Sequence, residues 1–315
     1  MSADIRAIIK RHAVPLEPIP TETKPVLRKL SGIKAVLFDV YGTLLISGVG
    51  DIGTSRESGS EKAFSEALSV MGIRHDSQTL CGVDWLSDAI GKSHSRSRDN
   101  GIEYPEVDIL AVWSSVLEKL RTRGLIEREE CDVSFLRTLA VEYEVRFNPV
   151  WPMPGCRECL EFLRDSGFHL GLVSNAQFFT PELFPALLDA DLCDLGFRDE
   201  LLLFSYHAQR AKPGLYLYER AREILARLGV DAGATLYIGN DRLNDVYAAA
   251  HIGFRTALFA GDERSLRLRR EDSRLKGISP DLVLTDLDKL LQCLPLPTGK
   301  TNNGSSDLSV SSEPK

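Results

Sequence analysis

The feature that most constrains this chain is the run from Ile33 to Leu45, Ile-Lys-Ala-Val-Leu-Phe-Asp-Val-Tyr-Gly-Thr-Leu-Leu. From Ile33 to Phe38 it is apolar with Lys34 as its one charge. That is the pattern of a strand buried on both faces, so the chain must supply layers above and below a sheet. The run stops at a carboxylate, Asp39, after which Gly42 frees the backbone to turn and Thr43 adds a hydroxyl. Asp39 would then stand at the carboxyl end of a central strand, where open α/β sheets place their ligands. Read alone, the same residues also fit a strand followed by an Asp- and Gly-containing turn with only local reasons for its composition.

The rest of the chain supplies the layers. A helix predicted over Cys156 to Asp165 leads to an apolar run Phe168 to Val173 that ends at Ser174 and Asn175. Leu201 to Phe204, Thr235 to Ile238, Arg255 to Phe259 and Leu282 to Leu284 are further strand candidates. Between and after them lie a helix from about Gly214 to Leu228, with Tyr218, Ala221, Leu225 and Leu228 on one face, and a final helix from Leu287 to Leu294. This alternation predicts an α/β fold, a parallel sheet covered on both sides.

The stretch before it reads differently. Ser58 and Glu61 have capping-box spacing, and Ala63, Phe64, Ala67, Leu68 and Met71 recur at helical period until Gly72. Ile109, Leu110, Trp113, Val116, Leu117 and Leu120 repeat the pattern, as do Leu136, Leu139, Ala140 and Tyr143. No strand is expected from about 55 to 148, and Pro149, Pro152 and Pro154 mark the exit. The organisation predicted is an N-terminal appendage (1–31), a core domain (32–54 and 149–294), a small all-helical domain (55–148) and a disordered tail (295–315). Within the appendage Asp4 to His12 predicts a short helix, broken by Pro15, Pro18, Pro20 and Pro25, and Ile46 to Arg56, rich in Gly and Ser, predicts a flap or hairpin.

Composition excludes some functions. No stretch approaches the roughly 18 apolar residues of a membrane span, and the first thirty residues lack a secretory apolar core, so a cytoplasmic protein with no membrane partner is expected. A net charge of -7 argues against nucleic acid as a partner. The basic run Arg264 to Arg274, interleaved with Glu271 and Asp272, reads as a solvated surface helix. Six cysteines at 81, 131, 156, 159, 193 and 293 form no paired framework and are expected to be reduced. Cys156 and Cys159 make a C-x-x-C that fits either a redox pair or two small apolar groups on one helical face with Leu160 and Leu163.

The chemistry lies in four segments that each finish a strand or open a helix with polar residues: Asp39, Ser174 with Asn175, Lys212, and Asp241 with Asp245. In a parallel sheet all strand carboxyl ends point to one edge, so these groups can converge although they are far apart in sequence. A carboxylate at Asp39 can act as a nucleophile and form an ester or acyl phosphate that water cleaves. Ser174 and Lys212 offer a hydroxyl and a cation for anionic oxygens. Asp241 and Asp245, four apart, would with Asp39 give the oxygen-rich surroundings that suit Mg²⁺.

These motifs resemble those of the haloacid dehalogenase superfamily of hydrolases: Phe-Asp-Val-Tyr-Gly-Thr-Leu at 38–44, Val-Ser-Asn at 173–175, Lys-Pro at 212–213 and Gly-Asn-Asp-Arg-Leu-Asn-Asp at 239–245. The order is the family's, and the helical insertion after the first motif is similar to its helical cap. The resemblance implies a Rossmann-like core, attack by Asp39 on a small, anionic substrate, Lys212 as the charge partner, Thr43, Ser174 and Asn175 at the substrate, and Asp39, Tyr41, Asp241 and Asp245 around a Mg²⁺ ion. It further implies a phosphatase of small metabolites working through an aspartyl-phosphate.

Two departures from the family's pattern stand out. Its phosphatases carry a second Asp two positions after the nucleophile, where this chain has Tyr41; a phenol with a pKa near 10 can donate a proton but is a poor base at neutral pH. Tyrosine there is similar to the metal-independent 2-haloacid dehalogenase branch, as is the placing of Tyr218, although Tyr218 also falls on the apolar face of its helix. No arginine in Ser60 to Gly72 matches that branch's halide-binding residue. The second departure is register: either Asn240 or Asp241 takes the place of the first acid of the fourth motif, and Asp241 is preferred because a carboxylate holds a metal better. The polar stretch His94 to Asn100 reads as a loop whose Arg96 and Arg98 either hold a substrate anion or are solvated. Two readings rival the phosphatase: the dehalogenase, and a catalytically weak binding or regulatory protein.

Overall fold

The computed structural model describes residues 4–49, 59–76, 82–127 and 131–295. Its strands are β1 (Ala35–Phe38), β2 (Leu45–Ser47), β3 (Arg74–His75), β4 (Ile126–Glu127), β5 (Val150–Pro152), β6 (His169–Ser174), β7 (Phe197–Phe204), β8 (Thr235–Gly239), β9 (Arg255–Phe259) and β10 (Leu282–Leu284). The helices before the sheet's second strand are α1 (Ile5–His12), α2 (Ser60–Val70), α3 (Gly82–Asp99), α4 (Ile109–Thr122), α5 (Val133–Phe147) and α6 (Cys156–Asp165). Those after it are α7 (Thr180–Leu188), α8 (Ser205–Ala208), α9 (Tyr216–Arg227), α10 (Ala248–His251) and α11 (Asp288–Cys293).

Six strands form one sheet in the order β10-β9-β8-β1-β6-β7, every neighbouring pair parallel. β1 sits in the middle, and all four of its residues are buried. The period-two geometry of a strand sends Val36 and Phe38 to one face, into the cluster with Leu172 and Ile238, and Ala35 and Leu37 to the other, with Tyr237, Leu225 and Ala248. The apolar run had to be continuous because both faces are covered. Cys156 and Cys159 lie buried in the first of these clusters, and burial pushes the Cys159 thiol up to about 12. Their spacing serves packing.

A separate hydrophobic cluster joins α2, α3, α4 and α5, with Trp113 fully buried and stacked on Phe64 at 5.2 Å between ring centroids. The chain leaves and returns to the sheet along the antiparallel pair β2 and β5, Ile46 facing Trp151.

Several expectations need correction. The helical unit also contains a two-residue antiparallel ribbon, β3 with β4, too short for a periodic signal. His94 to Asp99 is the last part of α3, not a loop, with Arg96 and Arg98 exposed. The basic run 264–274 is turns and irregular chain that enter a short 3-10 helix at Ser273, rather than a surface α-helix. α2 starts at Ser60 with Gly59 as N-cap, and Ser58 of the predicted capping box lies outside the described residues, as do most of the predicted flap, Cys81 and 296–315. The appendage packs on the core: Asp4 caps α1, Ile8 and Ile9 are buried, and Val26 bridges Val283 at the sheet edge. Among the described residues no helix is long and apolar enough to cross a membrane.

Candidate active site

The carboxyl ends of β1, β6 and β8 and the segment after α8 meet at one cavity of about 260 Å³, whose wall includes Asp39, Asn175, Lys212, Asp241 and Asp245. Gly42 makes the turn after Asp39 possible, with φ at +77° and a Cβ there falling 2.7 Å from Asn240 Nδ2. Gly239 does the same for the fourth segment, because a Cβ would sit 2.3 Å from the Asp245 carboxyl carbon. Only a glycine lets that side chain fold back across the strand end.

Lys212 is the electrostatic centre. Its Nζ lies 2.8 Å from Asp39 Oδ1 and 2.6 Å from Asp245 Oδ1, and donates to the Tyr237 hydroxyl at 3.2 Å. Tyr237 in turn donates to the Val173 carbonyl at 2.7 Å. Burial alone would lower the Lys212 pKa, but the charges of Asp245 and Asp39 outweigh it, so the ammonium is held above its usual range. Burial pushes Asp245 up, against the pull of Lys212. Asn175 positions the lysine: its Oδ1 accepts from the Lys212 N–H at 2.8 Å and its Nδ2 donates to the Lys212 carbonyl at 3.3 Å.

The other predicted residues are placed less directly. Thr43 is fully buried and donates to Asn240 Oδ1 at 3.2 Å, and Ser174, equally buried, donates to the Asn175 carbonyl at 3.3 Å. Neither lies on the cavity wall, so of the three expected substrate contacts only Asn175 does. Tyr41 lines the cavity, but its hydroxyl is 2.9 Å from Thr180 Oγ1. Burial, then the charge of Glu144, holds its phenol far above the ordinary value, so it stays protonated through the neutral range. Tyr218 is a packing residue, T-shaped against Tyr237, with its hydroxyl on the Asn244 carbonyl at 2.7 Å.

The metal set tests less well. Asp241 accepts from the backbone N–H groups of Leu243 and Asn244 and is gripped by Arg269, Nε to Oδ1 at 2.8 Å and Nη2 to Oδ2 at 2.5 Å. Asp245 uses Oδ1 on Lys212 and Oδ2 on the Asp241 N–H at 2.9 Å. Among the described residues no group of three or more acidic, histidine or cysteine side chains is disposed to hold a metal ion. In this arrangement Asp241 is committed to Arg269 and Asp245 to Lys212, so two carboxylates of the predicted metal set are already paired with cations. Arg269 supplies positive charge at Asp241 instead.

Sequence reasoning missed four residues on or behind this wall. Arg269 and Arg267 sit in the irregular basic run. Glu106 accepts from Ser205 at 2.6 Å, Gln177 at 3.2 Å and the Val107 N–H at 2.8 Å, tying the α3–α4 connection to the sheet end. Glu144 lies among the apolar positions of α5 and faces the cavity, where burial pushes it up to about 7.

Comparison with known proteins follows this geometry. A glyceraldehyde 3-phosphate phosphatase of Pyrococcus abyssi is 24% identical over 170 residues, covering 49% of this chain and 66% of that protein, just under two thirds of its length. A 2-haloacid dehalogenase from Pseudomonas syringae pv. Tomato DC3000 is 20% identical with a TM-score of 0.47, covering 83% of this chain and 97% of that one. A phosphatase from Thermococcus onnurineus is 20% identical with a TM-score of 0.43, covering 82% and 97%. Residues 33–253, well over half of the chain, match the family model of haloacid dehalogenase-like hydrolases, and the chain belongs to that family of enzymes.

Proposed function

We propose that this chain hydrolyses small phosphate monoesters through a covalent aspartyl-phosphate at Asp39. The observation that carries the reading is the placing of Asp39 on the cavity wall with one oxygen on Lys212. In the reaction an Asp39 oxygen attacks phosphorus, the bond to the leaving oxygen breaks, and water then cleaves the acyl phosphate. Lys212 offsets charge as the anionic nucleophile and substrate approach. Tyr41, held protonated by burial, is no base for the water step. The helical unit supplies the cavity wall facing the sheet end. The phosphatase among the relatives supports the choice of substrate. No step passes through Mg²⁺, since Arg269 holds Asp241.

Phosphate release from 4-nitrophenyl phosphate by the wild type and by Asp39→Asn tests the reading; release by the variant at the wild-type rate would end it. A second reading, displacement of halide from a 2-haloacid by Asp39, is favoured by the same Arg269 to Asp241 pair, since that step needs no metal. Halide release from 2-chloropropionate is its assay.

A further inference from the structure

The two ends of the cavity differ in kind. Its sheet end carries Asp39, Lys212, Asp241, Asp245 and Arg267. Its other end, built by the helical unit, is lined by Val83, Leu86, Ile90, Ile109, Trp113 and Phe147. Among the described residues that unit brings no lysine or arginine to the wall. Arg96 and Arg98 are exposed instead, and burial and then Arg98 disfavour the charged form of His94. The unit does bring two carboxylates, and they differ in commitment. Glu106 is held by three donors. Glu144 has one long contact, from Asn148 Nδ2 at 3.4 Å, and retains acceptor capacity toward the cavity.

Resting on the phosphomonoesterase reading, we propose that the leaving group is a mainly apolar alcohol or phenol bearing a cationic or hydrogen-bond-donating group that Glu144 receives, and that leaving groups with a second negative charge are rejected. An apolar wall with a few placed polar groups fixes orientation, and an anion in this half would face Glu144 with no cation to offset it. An amine or hydroxyl meets, in Glu144, the less committed of the two carboxylates of this half.

The test, run at about pH 8.5 so that Glu144 is ionised, uses three phosphate esters of one aromatic size: phenyl, 4-(aminomethyl)phenyl and 4-carboxyphenyl phosphate. The expected kcat/KM for the cationic ester exceeds that for the anionic one by at least about tenfold, a modest share of what like-charge juxtaposition costs at a desolvated site. Glu144→Gln should collapse that ratio toward one, and comparing ratios between proteins cancels the differing reactivity of the three phenols. Equal turnover of the carboxyphenyl and aminomethyl esters, or a ratio that Glu144→Gln leaves in place, would overturn the proposal. If none of the esters releases phosphate, the catalytic reading has failed; the wall is then read by calorimetric binding of benzylamine and benzoate to the full chain. Benzylamine binding more tightly supports the proposal, and benzoate binding as well or better overturns it.

Discussion

Glu144 gives the site a pH signature that can be read without turnover. Its carboxyl, lining the cavity, is raised from an ordinary 4.5 to about 7, burial being the dominant cause and the hydrogen bond from Asn148 opposing it. The folded chain therefore keeps a proton that the unfolded chain has released. Relative to a neutral side chain, the stabilising contribution is complete below about 4.5 and is lost as pH rises through about 7. At 1.36 kcal/mol per pH unit the gap corresponds to about 3 kcal/mol, and water in the cavity reduces it. Glu144→Gln keeps the acceptor for Asn148 and removes the titration. Urea unfolding of both proteins at intervals from pH 5 to 8.5 should show the variant gaining stability over the wild type as pH rises, with the difference levelling above about 7. A difference that is flat with pH, or larger at the acid end, would refute the burial argument.

Further predictions concern the charge centre and the helical unit. Lys212→Met removes the cation shared by Asp39 and Asp245 and should lower kcat/KM by roughly 10²–10³ while costing roughly 3–5 kcal/mol in a denaturation curve, because two carboxylates lose their partner. EDTA should leave wild-type phosphate release unchanged, whereas Arg269→Ala, which frees Asp241, should make release respond to added Mg²⁺; wild-type activity abolished by EDTA would show that Asp241 leaves Arg269 for a metal. Trp113→Ala should cost about 3–5 kcal/mol in thermal or urea unfolding, since the indole is fully buried against Phe64 and Tyr143.

The sheet was legible because burial on both faces leaves a mark in every strand: Arg255–Phe259 and Leu282–Leu284 fall where the apolar runs put them. Helix α6 was legible from its stripe, Cys156 to Leu163. The convergence of Asp39, Asn175, Lys212 and Asp245 followed from topology alone, since parallel strands share one carboxyl edge. What each carboxylate touches was not legible. Arg269 lies 28 residues beyond Asp241, in irregular chain without a period, and a run of arginines reads as solvent-facing until the backbone path turns it inward. Thr43 and Ser174 have hydroxyls that backbone turns direct into the protein rather than into the cavity, a distinction of one side-chain rotation that spacing cannot encode. Glu144 stood between apolar neighbours on a helix, where a charge is read as its exposed face; the closing of α5 over the sheet end reverses that sense.

The covalent step is the centre of this account, and mass analysis of the protein quenched during turnover of phenyl phosphate tests it most directly. The peptide spanning Ala35 to Leu45 should gain the mass of one phosphoryl group, lose it on hydroxylamine treatment, and show none in Asp39→Asn. Phosphate released with no mass gained at Asp39, or with the gain on another residue, would contradict the account.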